Sequence, residues 1–165
     1  MKSETRDKVF YSDILVRFSH CDPAGIIFYP HYFVMFNGLV EDWFNRSLNI
    51  NYADFITNRR LGLPMVNIQC NFVAPSMIGE IITLSLEVEH IGKSSIRLFA
   101  QALFAEKTRV SAKLTICVNS FATGRAVPIP DDLRQRLTAF TTGRLGRQEP
   151  QAKFQNCSAP SAIPG

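Results

Sequence analysis

Asp22 stands inside the run His20-Cys21-Asp22-Pro23-Ala24-Gly25-Ile26-Ile27-Phe28-Tyr29-Pro30-His31-Tyr32. The run places one carboxylate at the mouth of a tight turn, directly before the longest amphipathic helical pattern in the chain. A helix start offers unpaired backbone N–H groups and a positive dipole end. A carboxylate beside such donors has the parts for attack on a carbonyl, or for base catalysis at one, while the donors hold the oxyanion. The same residues allow a plainer role. Asp followed by Pro is a favoured helix start, with Asp22 as the cap. The two roles are compatible, because a capping geometry also positions the carboxylate.

Other groups near this run have chemistry of their own. Gly25 suits a positive φ or a close backbone approach in the turn, and equally a plain turn. His31 lies beside the polar start of the helix, within reach of a substrate or a water. His20 and His31 are equally readable as satisfied, partly exposed histidines. No His, Cys or Asp cluster has metal-ligand spacing, so no metal is expected. The four cysteines, Cys21, Cys70, Cys117 and Cys157, form no Cys-x-x-Cys pair. Cys70 and Cys117 fall within strand patterns and read as small buried hydrophobes.

Something must position these groups, and the pattern supplies the elements. Phe10 to Phe18 reads as a first strand. Pro30 to about Leu48 is helical: Tyr32, Met35, Phe36, Leu39 and Trp43 follow i, i+3, i+4 spacing, widened by Phe33, Val40 and Phe44. Pro30 suits the first helical position. A short helix is expected near Tyr52 to Asn58. Four strands follow, over Met65–Val73, Glu80–His90, Ser94–Phe104 and Thr108–Phe121, each with period-2 alternation and one wet face. The connections at Gly92-Lys93 and Glu106-Lys107 are short enough for hairpins. A last helix is expected over Pro128 to Phe140. The order predicts an α+β fold, a curved antiparallel sheet wrapped around one long buried helix.

Composition bounds the partners. With 46% hydrophobic residues, 13 Phe and 19% charged residues in 165, the chain can bury one core of ordinary size. A single domain is expected over residues 1–140, then a basic, Pro- and Ser-rich disordered tail over 141–165. The net charge of +4 gathers late, at Arg134, Arg136, Arg144, Arg147 and Lys153 against Glu149. The body is near neutral, which argues against nucleic acid as a partner. The basic segment suits the phosphates of a nucleotide-bearing ligand, or simply solubility. No apolar stretch reaches a membrane-spanning length and no secretory signal is visible, so a cytoplasmic location with reduced thiols is expected.

The Cys-Asp-Pro-Ala-Gly-Ile and Tyr-Pro-x-Tyr of residues 21–32 resemble the signature of the hotdog-fold acyl-CoA thioesterases related to 4-hydroxybenzoyl-CoA thioesterase. The resemblance covers roughly Val9 to Pro130. It implies an acyl-CoA thioesterase in which Asp22 attacks the thioester carbonyl or activates a water. It gives the Tyr29 backbone N–H the oxyanion, with Gly25 inside the matched motif. It places Lys93, Ser94 and Ser95 where the family reaches the coenzyme A moiety of the substrate, a segment otherwise readable as a solvated turn. It implies no separate cofactor, and a homodimer or homotetramer with active sites at the seam. His20 is a departure: some members carry an acidic residue there. Glu41, sharing a helix face with Asn37, is the second carboxylate to weigh, because a neighbouring thioesterase clade uses a helix-borne Glu. The alternatives are a non-catalytic acyl-thioester-binding hotdog protein and a hotdog acyl-CoA dehydratase. The second would require His20 or His31 as its catalytic histidine.

Overall fold

The computed structural model describes residues 9–138 and 140. In chain order it contains β1 (Phe10–Leu15), α1 (Pro30–Arg46), α2 (Tyr52–Thr57), β2 (Leu61–Gly62), β3 (Met65–Phe72), β4 (Ile81–Ile91), β5 (Ser95–Phe104), β6 (Lys107–Cys117), β7 (Asn119–Ser120), β8 (Arg125–Ala126) and α3 (Asp131–Thr138). The stretch 141–165, expected as a disordered tail, lies outside the described residues.

The long helix follows from its stripe. Tyr32, Met35, Phe36, Leu39, Val40, Trp43 and Phe44 are buried, and α1 lies against β4 and β1. Five antiparallel strands in the order β1-β4-β5-β6-β3 form the sheet that covers it. Ile82, Leu84, Leu86 and Val88 of β4, Ile96, Leu98, Ala100 and Ala102 of β5, and Val110, Ala112, Leu114 and Ile116 of β6 complete the core. Register shifts at Val88/His90, Ala102/Leu103 and Met65/Asn67 are bulges, which bend a sheet and deepen its twist. No helix among the described residues is long and apolar enough to cross a membrane.

Several local expectations change. The first strand stops at Leu15, and Phe18–His20 forms one 3-10 turn whose first amide neighbour, the Arg17 N–H, is accepted by His20 Nδ1 at 3.1 Å. The last long strand breaks after Cys117: Asn119–Ser120 leaves the main sheet to pair with Leu61–Gly62 and Arg125–Ala126. Ser85 and Glu87, expected on the wet face of β4, are buried at 4% and 8% exposure. Cys70 and Cys117 are only partly buried. Burial still pushes the Cys70 thiol up to about 11, away from a reactive thiolate.

β3 departs furthest from its pattern. Val66, Ile68 and Phe72, the expected buried face, are 59%, 37% and 49% exposed. Among the described residues the strand pairs only with β6 and forms one edge of the sheet, its far side meeting no other strand.

Candidate active site

The turn around Asp22 is built by backbone bonds that the sequence makes possible. The Asp22 carboxylate accepts the Ala24 N–H at 2.8 Å, and the Asp22 carbonyl accepts the Gly25 N–H at 2.9 Å. This is the local side-chain turn that Asp favours. Gly25 sits at φ +74°, left-handed backbone that glycine enters freely. Asp22 is therefore not the cap of α1. That helix starts at Pro30, with Tyr29 at the N-cap.

Two antiparallel bridges hold the turn, one between Cys21 and Ile27 and one between Ile26 and Met77. The Ile27 N–H is accepted by the Ser76 carbonyl and the Ile78 N–H by the Gly25 carbonyl, both at 2.9 Å. The Phe28 N–H is accepted by the His20 carbonyl at 3.0 Å, which fixes the approach to the helix. Inside, the Tyr32 hydroxyl donates to Ser76 Oγ at 2.9 Å, and both residues are buried. Burial raises the Tyr32 pKa and outweighs the bond to Ser76, so the phenol stays a donor. Ser76 thus ties the turn through its carbonyl and the helix through its hydroxyl. Nothing in the sequence marks this pairing, which joins residues 44 positions apart.

The amides at the helix start sort themselves. Ile27 donates to Ser76, Phe28 to His20, His31 to Phe28 and Tyr32 to Tyr29. Pro30 has no N–H. Tyr29 alone in this stretch has an amide without an acceptor among the described residues, and it sits at the positive end of a 17-residue helix. An open donor at that place is suited to a developing oxyanion.

His20 and His31 meet with ring centroids 5.9 Å apart, and Phe28 stands edge-on to His31 at 6.3 Å. Burial lowers the His20 pKa, and the neighbouring His31 and Arg17 lower it further. Beside the turn, a cleft of about 250 Å³ runs between Ile26, Ile27, Tyr29, Tyr32, Phe72 and the 73–75 segment. Its walls carry no charged side chain. The Tyr29 ring stands edge-on to Phe72 at 6.1 Å and the Tyr32 ring is tilted against it at 6.0 Å. A larger hollow at Tyr11–Asp13 and Arg46 is polar and touches none of these residues.

Asp22, Gly25, Tyr29 and His31 therefore belong to one constellation. Lys93, Ser94 and Ser95 do not join it within the chain. β4 begins beside the Asp22 turn, where the Val16 N–H is accepted by the Glu80 carbonyl, and ends at Ile91, just before Lys93. Eleven extended residues span roughly 35 Å. Lys93 is exposed, in a hairpin where the Gly92 N–H is accepted by the Ser95 carbonyl at 2.8 Å. Two arginines expected to be open to phosphate are engaged by backbone. Arg134 donates to the Gly92 and Lys93 carbonyls at 2.7 and 3.1 Å, and Arg136 to the Leu48 carbonyl at 2.7 Å. Arg144, Arg147 and Lys153 lie outside the described residues. Glu41 is exposed, on the side of α1 away from the core. Among the described residues no three His, Cys, Asp or Glu side chains are grouped as metal ligands.

An antiparallel sheet laid over one long helix is the hotdog arrangement. Residues 16–137 match the thioesterase-like superfamily, and the chain belongs to it. It is 28% identical over 127 residues to 1,4-dihydroxy-2-naphthoyl-CoA hydrolase of Nostoc punctiforme, covering 74% of this chain and 82% of the relative. The enzyme of the same name from Trichodesmium erythraeum is 25% identical, over 81% of this chain and 98% of its own. Among solved structures, a 1,4-dihydroxy-2-naphthoyl-CoA thioesterase from Synechocystis superposes with a TM-score of 0.72 at 17% identity, covering 79% of this chain and 96% of that one. The structural likeness speaks to the fold.

Proposed function

We infer that this protein hydrolyses the thioester of an acyl- or aroyl-CoA to the free acid and coenzyme A. The observation that carries the reading is the unpaired Tyr29 amide at the N-terminus of α1, in the loop that also holds the Asp22 carboxylate. With the thioester oxygen on that amide, charge developing at the carbonyl is met by a fixed donor. Two routes use Asp22. It attacks the carbonyl carbon, forming an acyl-carboxylate anhydride as the C–S bond breaks, and water then cleaves the anhydride. Alternatively it takes a proton from a water that attacks directly. Either route needs only water and groups of the protein, with no metal or separate cofactor. The uncharged aromatic cleft beside the turn suits an apolar or aromatic acyl group. The relatives' names point the same way.

The proposal includes a homodimer. Among the described residues β3 is an edge strand whose outer side is unpaired, with apolar side chains exposed. Its Phe72 end lies at the Asp22 end of the sheet, opposite Val110, and its Met65 end lies at the Lys93 end, opposite Ile116. Two-fold antiparallel pairing of β3 with a second copy reverses that order. The partner's Lys93 hairpin then falls at the Asp22 end, where Lys93, Ser94 and Ser95 serve as donors to the CoA moiety.

The test is thiol release from a panel of aliphatic and aromatic acyl-CoAs, on wild type and Asp22→Asn side by side. Turnover lost by orders of magnitude in the variant supports the reading. Equal slow rates for both proteins, or none on any ester, retire it and leave a binding function.

A further inference from the structure

We propose that Arg109, on the sheet and outside the loop that carries Asp22, is a positioning residue for the reaction. It fixes the 73–80 segment on which the Asp22 turn rests. The proposal builds on the reading of Asp22 as the catalytic group.

The segment between β3 and β4 supports the turn on its far side. Gly79 and Glu80 at its end exchange backbone hydrogen bonds with Val16, both at 2.8 Å, and its remaining ties to the sheet converge on Arg109. The Arg109 carbonyl accepts the Val73 and Ala74 N–H groups, at 2.8 and 3.1 Å. Its guanidinium donates to the Pro75 carbonyl and meets Glu80 Oε1 at 3.4 Å. It lies over the Phe104 ring, 5.0 Å from the centroid. The second Glu80 oxygen accepts the Met77 N–H at 2.9 Å. One planar fork therefore holds both ends of the segment. A planar guanidinium with several donors suits this better than an ammonium point charge. The two side chains are 19% and 17% exposed, so the pair is shielded more than an open surface pair.

What the clamp holds is the site's scaffold. Between Pro75 and Glu80 lie Ser76, whose carbonyl takes the Ile27 N–H and whose hydroxyl takes Tyr32, and Ile78, whose N–H reaches the Gly25 carbonyl. Gly25 closes the turn that begins at Asp22 and Ile27 follows directly after it, and Tyr32 lies in the first turn of α1 beside the open Tyr29 amide. Arg109 acts on both through one segment and touches neither.

Amide hydrogen exchange and kinetics on the full-length protein test this together. In Arg109→Met, exchange at Ile27 and Ile78 should quicken about tenfold or more, while the central β5 amides Leu98 and Ala100 stay within about twofold. At a temperature well below unfolding, kcat on the best acyl-CoA of the panel should fall about 10- to 100-fold, with KM within about threefold, as expected of a misaimed group. Arg109→Lys keeps the charge without the fork and should show the same local loss. If Arg109→Met does not fold, Glu80→Gln is read the same way. Unchanged exchange at Ile27 and Ile78, faster exchange spread evenly through β5, or faster local exchange with kcat intact would each overturn the proposal. If wild type hydrolyses no thioester, the reading of Asp22 fails and Arg109 has no reaction to position. The exchange pattern then still shows whether the clamp exists.

Discussion

At the residue scale, Asp22 has two duties that substitution separates. Its carboxylate orders the turn through the Ala24 N–H, and in the proposed reaction it also acts on the thioester or on water. Asn keeps an oxygen to accept that N–H, so Asp22→Asn should leave unfolding free energy within about 0.5 kcal/mol. It should cost about 10²–10⁴-fold in turnover, the range for a lost acid–base group. Asp22→Ala should add a stability loss of about 1 kcal/mol, for one hydrogen bond. Urea unfolding beside thiol release reads both; Asn and Ala equal in stability would mean the turn bond contributes nothing.

His20 makes a pH prediction. Its pKa is lowered by burial, then by His31 and Arg17, and its Nδ1 accepts the Arg17 N–H, a bond that protonation there removes. The folded state thus binds its proton less readily than the unfolded chain. Stability from this residue is full above about pH 6.5, the unfolded value, and declines as pH falls toward the folded one. The thermal midpoint of wild type should drop more between pH 7.5 and pH 5.5 than that of His20→Asn. Equal slopes would remove His20 from the account.

At the element scale, α1 shows which of its faces matters. Leu39 is 2% exposed and Glu41 is exposed on the other side. Leu39→Ala should cost about 2–5 kcal/mol, since the sheet cannot collapse fully onto the void. Glu41→Gln should leave turnover within about twofold and stability within about 0.5 kcal/mol. A large kcat loss in Glu41→Gln would move the chemistry from the turn to the helix. The same contrast explains what the sequence made readable. Periodicity located α1, β4, β5 and β6 because each buries one face within the chain, and residues 21–32 were legible because the turn and helix start are local. Ser76, Glu80 and Arg109 were not, because the side chains they hydrogen-bond are 29 to 44 residues away and each side chain alone is ordinary. The alternation of β3 was real, but Val66, Ile68 and Phe72 stay largely exposed among the described residues, Phe72 meeting only the Tyr29 and Tyr32 rings on one side.

At the scale of the whole molecule, that uncovered edge and the distant Lys93 hairpin raise the same question, and one experiment addresses both. A thioester held at Asp22 is roughly 35 Å of strand away from Lys93 of its own chain. If a second copy pairs through β3, each site draws Asp22 from one chain and Lys93 from the other. Asp22→Asn and Lys93→Glu proteins should then each be impaired alone. Mixed after dissociation and re-pairing, they should recover about a quarter of wild-type sites, because half the dimers are mixed and each of those has one site with both groups intact. Ile68→Asp, which sets a charge on the exposed edge, should sediment as a monomer and lose turnover with Asp22 untouched, while its Leu98 and Ala100 amides stay protected. Mixing without recovery, from proteins shown to exchange subunits, would mean Lys93 plays no part across the seam. A monomeric wild type with full turnover would remove the pairing itself.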